Sequence, residues 1–248
     1  MVQGWHTLTR SVLVPVRTVW RWLLSHDISV LLAVLLIITS LLVFLKLADA
    51  VSEGETQRFD DSDLLALRDP SNPSKPIGPW WTAEVGRDIT ALGGVTVLTF
   101  LSLMTLGFLI MARKYHAAIL LAVATIGGAM LSSLLKDYFD RPRPGVAYRL
   151  MEVHTASFPS GHSMMSAVVY LTLGSLLDRV VEGRRLKLYC LSIAMLLTSL
   201  VGCSRVFLGV HYPTDVLGGW AAGLTWAVLC WLVARYLQKR GAVERAPV

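Results

Sequence analysis

The residues best suited to chemistry in this sequence lie in three short charged stretches, each at the edge of a long apolar run. KDYFDRPRP covers Lys136–Pro144, PSGHS covers Pro159–Ser163, and SRVFLGVHYPTD covers Ser204–Asp215. Ionisable side chains at the edge of a membrane-spanning segment are functional candidates by default. A charge at such a place can also anchor a helix at the lipid boundary, so the three stretches have to be assessed together.

Three cations and one helix start in these stretches could bind a phosphate. Lys136, Arg143 and Arg205 could meet over a single anion, since guanidinium groups donate paired hydrogen bonds that match phosphate oxygens. Ser160 is suited to cap a helix, and Gly161 lets the backbone approach a ligand closely. The free N–H groups at the start of that helix would add to an anion site.

Two histidines in the same stretches, His162 and His211, could supply an acid and a nucleophile. Asp215 follows His211 by four residues, but Pro213 is expected to begin a helix between them. We therefore expect the two side chains to meet across a helix entry and not along one helical face. A carboxylate bound to one ring nitrogen fixes the tautomer and leaves the other nitrogen free to attack.

Helices that cross a membrane must position these stretches. The chain has 248 residues, of which 54% are hydrophobic and 16% are charged. A bilayer needs about 20 apolar helical residues, and six apolar runs approach that length without the alternation typical of barrel strands. They are Ile28–Leu45, Ile89–Ala112, Ala117–Leu135, Gly161–Leu177, Leu188–Ser204 and Val216–Ala234. The sequence predicts an all-α, polytopic membrane protein built as a six-transmembrane helix bundle.

The distribution of basic residues predicts the orientation of this bundle. With the N-terminus in the cytoplasm and all six runs spanning, thirteen basic and four acidic residues fall on the cytoplasmic side. Ten basic and thirteen acidic residues fall on the opposite side. Because Lys and Arg are enriched in short cytoplasmic loops, both termini are expected to be cytoplasmic and all three charged stretches to face outward. The basic balance thus reflects orientation, and no nucleic-acid partner is expected.

The chain is predicted to form one membrane domain with short flanking segments. We expect a cytoplasmic or interfacial N-terminal segment over 1–27, a membrane domain over 28–236 and a cytoplasmic tail over 237–248. An acidic outer loop is predicted at about 47–88, with a short surface helix in DSDLLALRDP. The sequence ADA at 48–50 resembles a signal-peptide cleavage site, but the preceding apolar run is longer than the usual 7–15 residues or so. An uncleaved first span is the favoured interpretation.

Together the three charged stretches match a known set of motifs. The pattern K-x6-R-P is met by Lys136–Pro144, P-S-G-H by Pro159–His162, and S-R-x5-H-x3-D by Ser204–Asp215. The chain therefore resembles the type 2 phosphatidic acid phosphatase superfamily of integral-membrane lipid phosphate phosphatases. All three motifs are complete, and the six-span layout extends the resemblance over most of the chain.

The resemblance implies a role for each motif residue. His211 would attack phosphorus to form a phosphohistidine, Asp215 would orient it, and His162 would protonate the leaving group. The phosphoryl oxygens would be held by the other motif residues, which are Lys136, Arg143, Ser160, Gly161 and Arg205. No metal site and no cofactor are expected. Arg141 lies inside the first motif but outside its fixed positions, and a solvated loop charge is its simplest interpretation.

The resemblance implies a metal-independent hydrolase acting on membrane lipids that carry a phosphomonoester or a diphosphate. Phosphatidic acid, phosphatidylglycerol phosphate and polyprenyl diphosphates such as undecaprenyl diphosphate are the candidate substrates. Two alternatives stay open: a lipid phosphotransferase using the same phosphohistidine, and a non-catalytic membrane binding or transport protein. The expected partners are a phosphorylated lipid and the surrounding membrane lipids, with no oligomeric state indicated. The expected location is a bacterial inner membrane, with the active site on the outer, periplasmic side.

Overall fold

The structure, a computed structural model, describes residues 28–177 and 181–239, and its regular elements are mainly helical. The helices in chain order are α1 (Ile28–Ser52), α2 (Gln57–Ala66), α3 (Thr82–Ala91), α4 (Val95–Met111), α5 (Tyr115–Phe139), α6 (Gly161–Leu177), α7 (Arg184–Phe207) and α8 (Pro213–Lys239). Two antiparallel strands, β1 (Arg68–Asp69) and β2 (Asn72–Pro76), lie between α2 and α3. A 3₁₀ turn spans Val146–Tyr148.

Five helical segments of the described residues are long and apolar enough to cross a membrane. These are α1, α3 with α4, α5, α7 and α8, and the shorter α6 is apolar over 17 residues. Large apolar side chains such as Leu32, Phe100 and Ile126 are 60%, 65% and 62% exposed on the outside of the bundle. A surface of this kind is suited to lipid. The predicted helical membrane protein is therefore confirmed, whereas the count of six spans stays a prediction.

The second predicted span differs from the observed one. The sequence predicts a continuous helix over Ile89–Ala112, whereas the structure breaks it at 92–94, between α3 and α4. Gly93 and Gly94 lie at the break, and Gly94 has an extended backbone with a ψ of 151°. Glycine favours such a break because no side chain restricts its backbone. As a result, α3 packs against α7 while α4 packs against α5.

The outer segment predicted as a loop at about 47–88 is largely regular structure. Helix α1 continues to Ser52, and α2, the two strands and the start of α3 follow. The helix predicted from DSDLLALRDP begins and ends earlier, at Gln57–Ala66, because the following residues form β1. Its Asp60 and Leu64 are only 0% and 1% exposed, so one side of α2 is buried against the bundle and does not lie free on the surface.

Two predicted segments lie wholly or partly outside the described residues. The interfacial segment at 1–27 is one of them, and the tail predicted at 237–248 is described only as far as Lys239. Helix α8 ends at Lys239, so it extends beyond the predicted end of the last span at Ala234.

Helix α6 is the most enclosed helix of the described bundle, and the second charged stretch forms its start. It packs against α5, α7 and α8, most extensively against α8, and its Met164 and Val168 are fully buried. The contact with α8 is close because Gly219 and Gly223 face the α6 backbone. A β-carbon at Gly219 would lie 2.6 Å from the Ser160 carbonyl oxygen. Small residues four positions apart allow such close helix contacts in membranes.

We expect Gly219→Ala to destabilise the fold, because the Ser160 carbonyl cannot give way without shifting the start of α6. Overpacking of this kind typically costs about 1–3 kcal/mol. The thermal unfolding midpoint in detergent micelles measures the effect. Gly107→Ala is the matched control, since a β-carbon at Gly107 would meet nothing within 4 Å. Equal midpoints for the two variants would contradict the close contact between α6 and α8.

Candidate active site

The three charged stretches meet at one end of the bundle, where α5 ends and α6 and α8 begin. Lys136, in the last turn of α5, donates from Nζ to the Ala156 carbonyl at 2.7 Å. Its side chain also lies 3.3 Å from the position of a β-carbon at Gly161. The Ser160 N–H donates to the Asp215 carbonyl at 2.9 Å, which ties the start of α6 to the start of α8. These contacts bring residues of all three stretches together.

His211 and Asp215 are paired across the entry into α8, as the sequence predicts. His211 lies in the loop before the helix, Asp215 lies in its first turn, and ring Nδ1 is 3.3 Å from Oδ2. The two residues are 1% and 0% exposed. The same carboxylate accepts hydrogen bonds from the Tyr212 N–H at 2.9 Å and from the Ser157 hydroxyl. Ser157, which the motifs do not include, therefore also holds Asp215.

The second ring nitrogen of His211 faces Arg143. Nη1 of Arg143 lies 3.1 Å from Nε2 and also donates to the Val210 carbonyl at 2.7 Å. A guanidinium group has donors only, so Nε2 accepts in this contact and the proton of the neutral ring belongs on Nδ1, beside Asp215. Nε2 is therefore the ring atom with a lone pair available for attack. That lone pair points toward Arg143, a cation that can hold an anionic substrate.

The charge states of His211 and Arg143 follow from burial and from their neighbours. Burial holds the pKa of His211 well below its ordinary value; Asp215 opposes this shift, whereas Arg143 and Arg205 add to it. Burial also lowers the pKa of Arg143 to about 10, with Asp215 opposing and Arg149 adding to the shift. At neutral pH the site therefore contains a neutral imidazole beside a charged guanidinium, as nucleophilic attack on an anion requires.

Arg205, in the last turn of α7, is 1% exposed and donates from Nη1 to the Thr90 hydroxyl at 3.0 Å. Its Nε is one of the buried side-chain nitrogens of the described residues that have no hydrogen-bond partner. A buried donor without a partner is unfavourable, and an anion bound beside Arg205 would supply that partner for Nε. The charges of Arg205, Arg143 and Lys136 all act on His162, the last residue of the P-S-G-H motif. The predicted acid thus lies in the field of all three predicted cations.

Ser160 precedes the first residue of α6, where the sequence places a helix cap. Its carbonyl accepts the Met164 N–H at 2.9 Å, and its hydroxyl accepts the Ser163 hydroxyl at 3.0 Å and, more weakly, the Ser163 N–H at 3.5 Å. Gly161 begins the helix next to the Lys136 side chain. The positive end of the α6 dipole therefore adds to the charge of the cations, which suits this place to an anion.

Arg141 is not a solvated loop charge, and this interpretation of the sequence was wrong. The residue is 8% exposed and forms two ion pairs, Nη1 with Asp215 Oδ1 at 2.6 Å and Nη2 with Asp60 Oδ2 at 2.8 Å. Burial would lower the pKa of Arg141, but the two carboxylates raise it above its ordinary value. The only sequence signal for this role was the position of Arg141 in RPRP, and Asp60 carried no signal at all.

Comparison with known proteins points to one family. Residues 117–239, which contain all three charged stretches, match the model of the PAP2 superfamily. The chain is 34% identical over 188 residues to phosphatidylglycerophosphatase B of Bacillus subtilis (strain 168), covering 74% of this chain and 87% of that protein. It is 26% identical over 194 residues to lipid A 1-phosphatase of Rhizobium johnstonii, covering 68% of this chain and 74% of that protein.

A solved structure has the same fold. The crystal structure of a transmembrane PAP2-type phosphatidylglycerolphosphate phosphatase from Bacillus subtilis matches with a TM-score of 0.71 and 30% sequence identity. The match covers 85% of this chain and 98% of that chain, so it extends well beyond the motifs to most of the helix bundle.

Proposed function

This chain belongs to the PAP2 superfamily of lipid phosphate phosphatases, and on that premise we propose that it hydrolyses its lipid substrate through a phosphohistidine formed at His211. One observation carries the proposal. The buried His211 ring is held by Asp215 at Nδ1 and faces Arg143 with Nε2. This arrangement combines a neutral nucleophile, a fixed tautomer and a cation at the place of attack.

In the first step, the Nε2 lone pair of His211 attacks phosphorus while the bond from phosphorus to the lipid oxygen breaks. The guanidinium and ammonium groups of Lys136, Arg143 and Arg205 stabilise the charge on the phosphoryl oxygens. Asp215 keeps the Nδ1 proton in place and stabilises the positive charge on the phosphorylated ring. His162 takes up a proton when the negative charge of the bound phosphate offsets the three cations, and it donates that proton to the leaving oxygen.

In the second step, water attacks the phosphohistidine. His162, which is now neutral, accepts one proton of that water as the oxygen bonds to phosphorus. The bond between phosphorus and nitrogen breaks, its electron pair returns to Nε2, and inorganic phosphate leaves. Both histidines are then in their starting states, so the cycle balances without a further reactant.

Phosphatidylglycerol phosphate is the substrate that we favour. The support is the similarity, at 34% identity, to a phosphatidylglycerophosphatase that this chain covers over 87% of its length. Phosphatidic acid and undecaprenyl diphosphate present the same terminal phosphate to the cations, so they are the comparison substrates.

The finer topology belongs to the same proposal. We propose that α6 spans with the five longer segments, which gives six spans, since its 17 residues reach the lower end of the range of about 17–25 for a membrane helix. The basic residues of the sequence support cytoplasmic termini. The site would then open on the outer side of a bacterial inner membrane, within a membrane domain over 28–236.

Purified protein in mixed micelles is expected to release phosphate from phosphatidylglycerol phosphate, and to do so equally well in EDTA. The physical reason is that Lys136, Arg143 and Arg205 already supply the positive charge that a metal ion would provide. Phosphate release measured across the three lipids, with and without EDTA, tests this. A loss of activity in EDTA would contradict the mechanism, and phosphate found on an acceptor lipid without free phosphate would identify a transferase. Lipid binding without turnover would identify a binding protein.

A further inference from the structure

We infer that Arg141 and Asp60 form a positioning pair for Asp215 and His211. Because Asp60 lies on α2, this helix is then a part of the active site. The inference rests on the proposed function and deepens it, because it gives a role to two residues that hold no fixed position in the three motifs. Arg141 contacts Asp215, and Asp60 contacts Arg141 and Thr214, so we expect their effect on catalysis to be carried through Asp215.

Arg141 lies between two buried carboxylates. Its Nη1 is 2.6 Å from Asp215 Oδ1, its Nη2 is 2.8 Å from Asp60 Oδ2, and both acid side chains are 0% exposed. Nη1 also donates to the Thr214 hydroxyl at 2.9 Å, and the guanidinium carbon lies 4.5 Å from the centre of the Tyr212 ring. A buried carboxylate is unfavourable unless it is paired and hydrogen-bonded. One guanidinium group meets this need for both acids.

The two oxygens of Asp215 have separate partners. Oδ2 faces His211 Nδ1 and accepts the Tyr212 N–H, whereas Oδ1 is bound by Arg141. A carboxylate held at both oxygens has little freedom to rotate, so the acceptor for the Nδ1 proton stays in place. Arg141 therefore controls the orientation of His211 through Asp215.

Asp60 connects the same network to the start of α8. Its Oδ1 accepts the Thr214 N–H at 3.1 Å, and its Oδ2 accepts the Thr214 hydroxyl at 2.6 Å. The first N–H groups of a helix have no partner within the helix, and here a side chain from α2 supplies one. Asp60 thus fixes both Arg141 and the helix turn that carries Asp215.

The charge of the pair distinguishes a positioning role from a purely structural one. The charged groups that act on His211 are Asp215, Arg143 and Arg205, and Arg141 offsets the charge of Asp215. With Arg141→Gln, the carboxylate is uncompensated and the pKa of His211 rises. With Asp60→Asn, the charge of Arg141 is less compensated and the pKa of His211 falls. If the pair only held α2 on the bundle, neither substitution would change the pKa of His211.

The test is the pH dependence of kcat/KM for the wild type and for Arg141→Gln, Arg141→Lys and Asp60→Asn, with phosphatidylglycerol phosphate in micelles. A neutral His211 is required for attack, so the acid limb follows its pKa. We expect Arg141→Gln to lower kcat by about 10–100-fold, the size of effect seen for groups that orient reactive ligands, with little change in KM. The acid limb of Arg141→Gln is expected to move to higher pH, and the acid limb of Asp60→Asn to lower pH. Arg141→Lys is expected to recover part of the kcat that Arg141→Gln loses.

Asp61→Asn is the matched control, because Asp61 is an exposed neighbour on α2 and the variant loses the same charge. It is expected to keep the wild-type profile, and thermal midpoints report the folded fraction of every variant. The inference is overturned if Arg141→Gln and Asp60→Asn lose activity only in proportion to folded protein while their acid limbs coincide with that of the wild type. If the wild type itself releases no phosphate from any of the lipids, the proposed function fails instead and takes the inference with it.

Discussion

The His211→Ala variant is expected to release no measurable phosphate from any lipid phosphate, with a fall in kcat of roughly 10⁴-fold or more, as for the loss of other catalytic nucleophiles. Without the imidazole there is no Nε2 to attack phosphorus, and the three cations can bind the substrate but cannot divide the reaction into two steps. The affinity for the lipid phosphate, measured by equilibrium binding, is expected to change little, because Lys136, Arg143 and Arg205 remain.

Two measurements make this prediction specific. Rapid quenching with a labelled substrate should trap acid-labile, alkali-stable phosphate on the wild-type protein and none on His211→Ala. His154→Ala is the matched control, since His154 is an exposed histidine of the segment before the second motif, and it should keep both turnover and the trapped phosphate. A His211→Ala variant that keeps a tenth of the wild-type kcat would show that another group attacks phosphorus.

The Asp215→Asn variant is expected to lose roughly 10³–10⁴-fold in kcat, the size of effect seen when a catalytic histidine loses its orienting carboxylate. The Asn amide can donate to Nδ1, which favours the tautomer with its proton on Nε2, where no lone pair is left for attack. The variant also removes the charge that stabilises the phosphorylated ring. Because Arg141 loses one of its two buried carboxylate partners, the thermal midpoint is expected to fall as well.

The measurement for Asp215→Asn is kcat per folded molecule, with the folded fraction taken from thermal unfolding under the assay conditions. Asp137→Asn is the control, because Asp137 is an exposed carboxylate within the first motif but outside its fixed positions. Retention of more than a tenth of kcat by folded Asp215→Asn would contradict the assigned role. A normal kcat with a lowered midpoint would reduce Asp215 to a structural residue.

The helices of the bundle were largely predictable from the sequence, and the segment at about 47–88 was not. Long apolar runs identify membrane helices because lipid cannot satisfy an open backbone, and five of the six predicted runs correspond to helical segments that are long enough to span. The break at Gly93 and Gly94 and the positions of α2, β1 and β2 escaped prediction. Short polar elements have weak periodicity, and their packing against the bundle decides where they begin and end.

The motif residues of the candidate site were also predictable, whereas their supports were not. Spacing and residue type identify His211, Asp215 and Arg143, and the structure places them within contact distance of one another as a connected group. Asp60 lies 81 residues before Arg141 in a segment that reads as a solvated acidic loop. Nothing in its type or spacing distinguishes it from the exposed Asp61.

By itself, the sequence determined that this chain is a helical membrane protein with three charged motifs, because apolar length and motif spacing are properties of short local stretches. Only the tertiary structure decided that α2 lies on the site and that Arg141 joins Asp60 to Asp215. Burial and ion pairing depend on which distant segments pack together. A charge that looks solvated in sequence can therefore hold a buried carboxylate that is paired with a histidine.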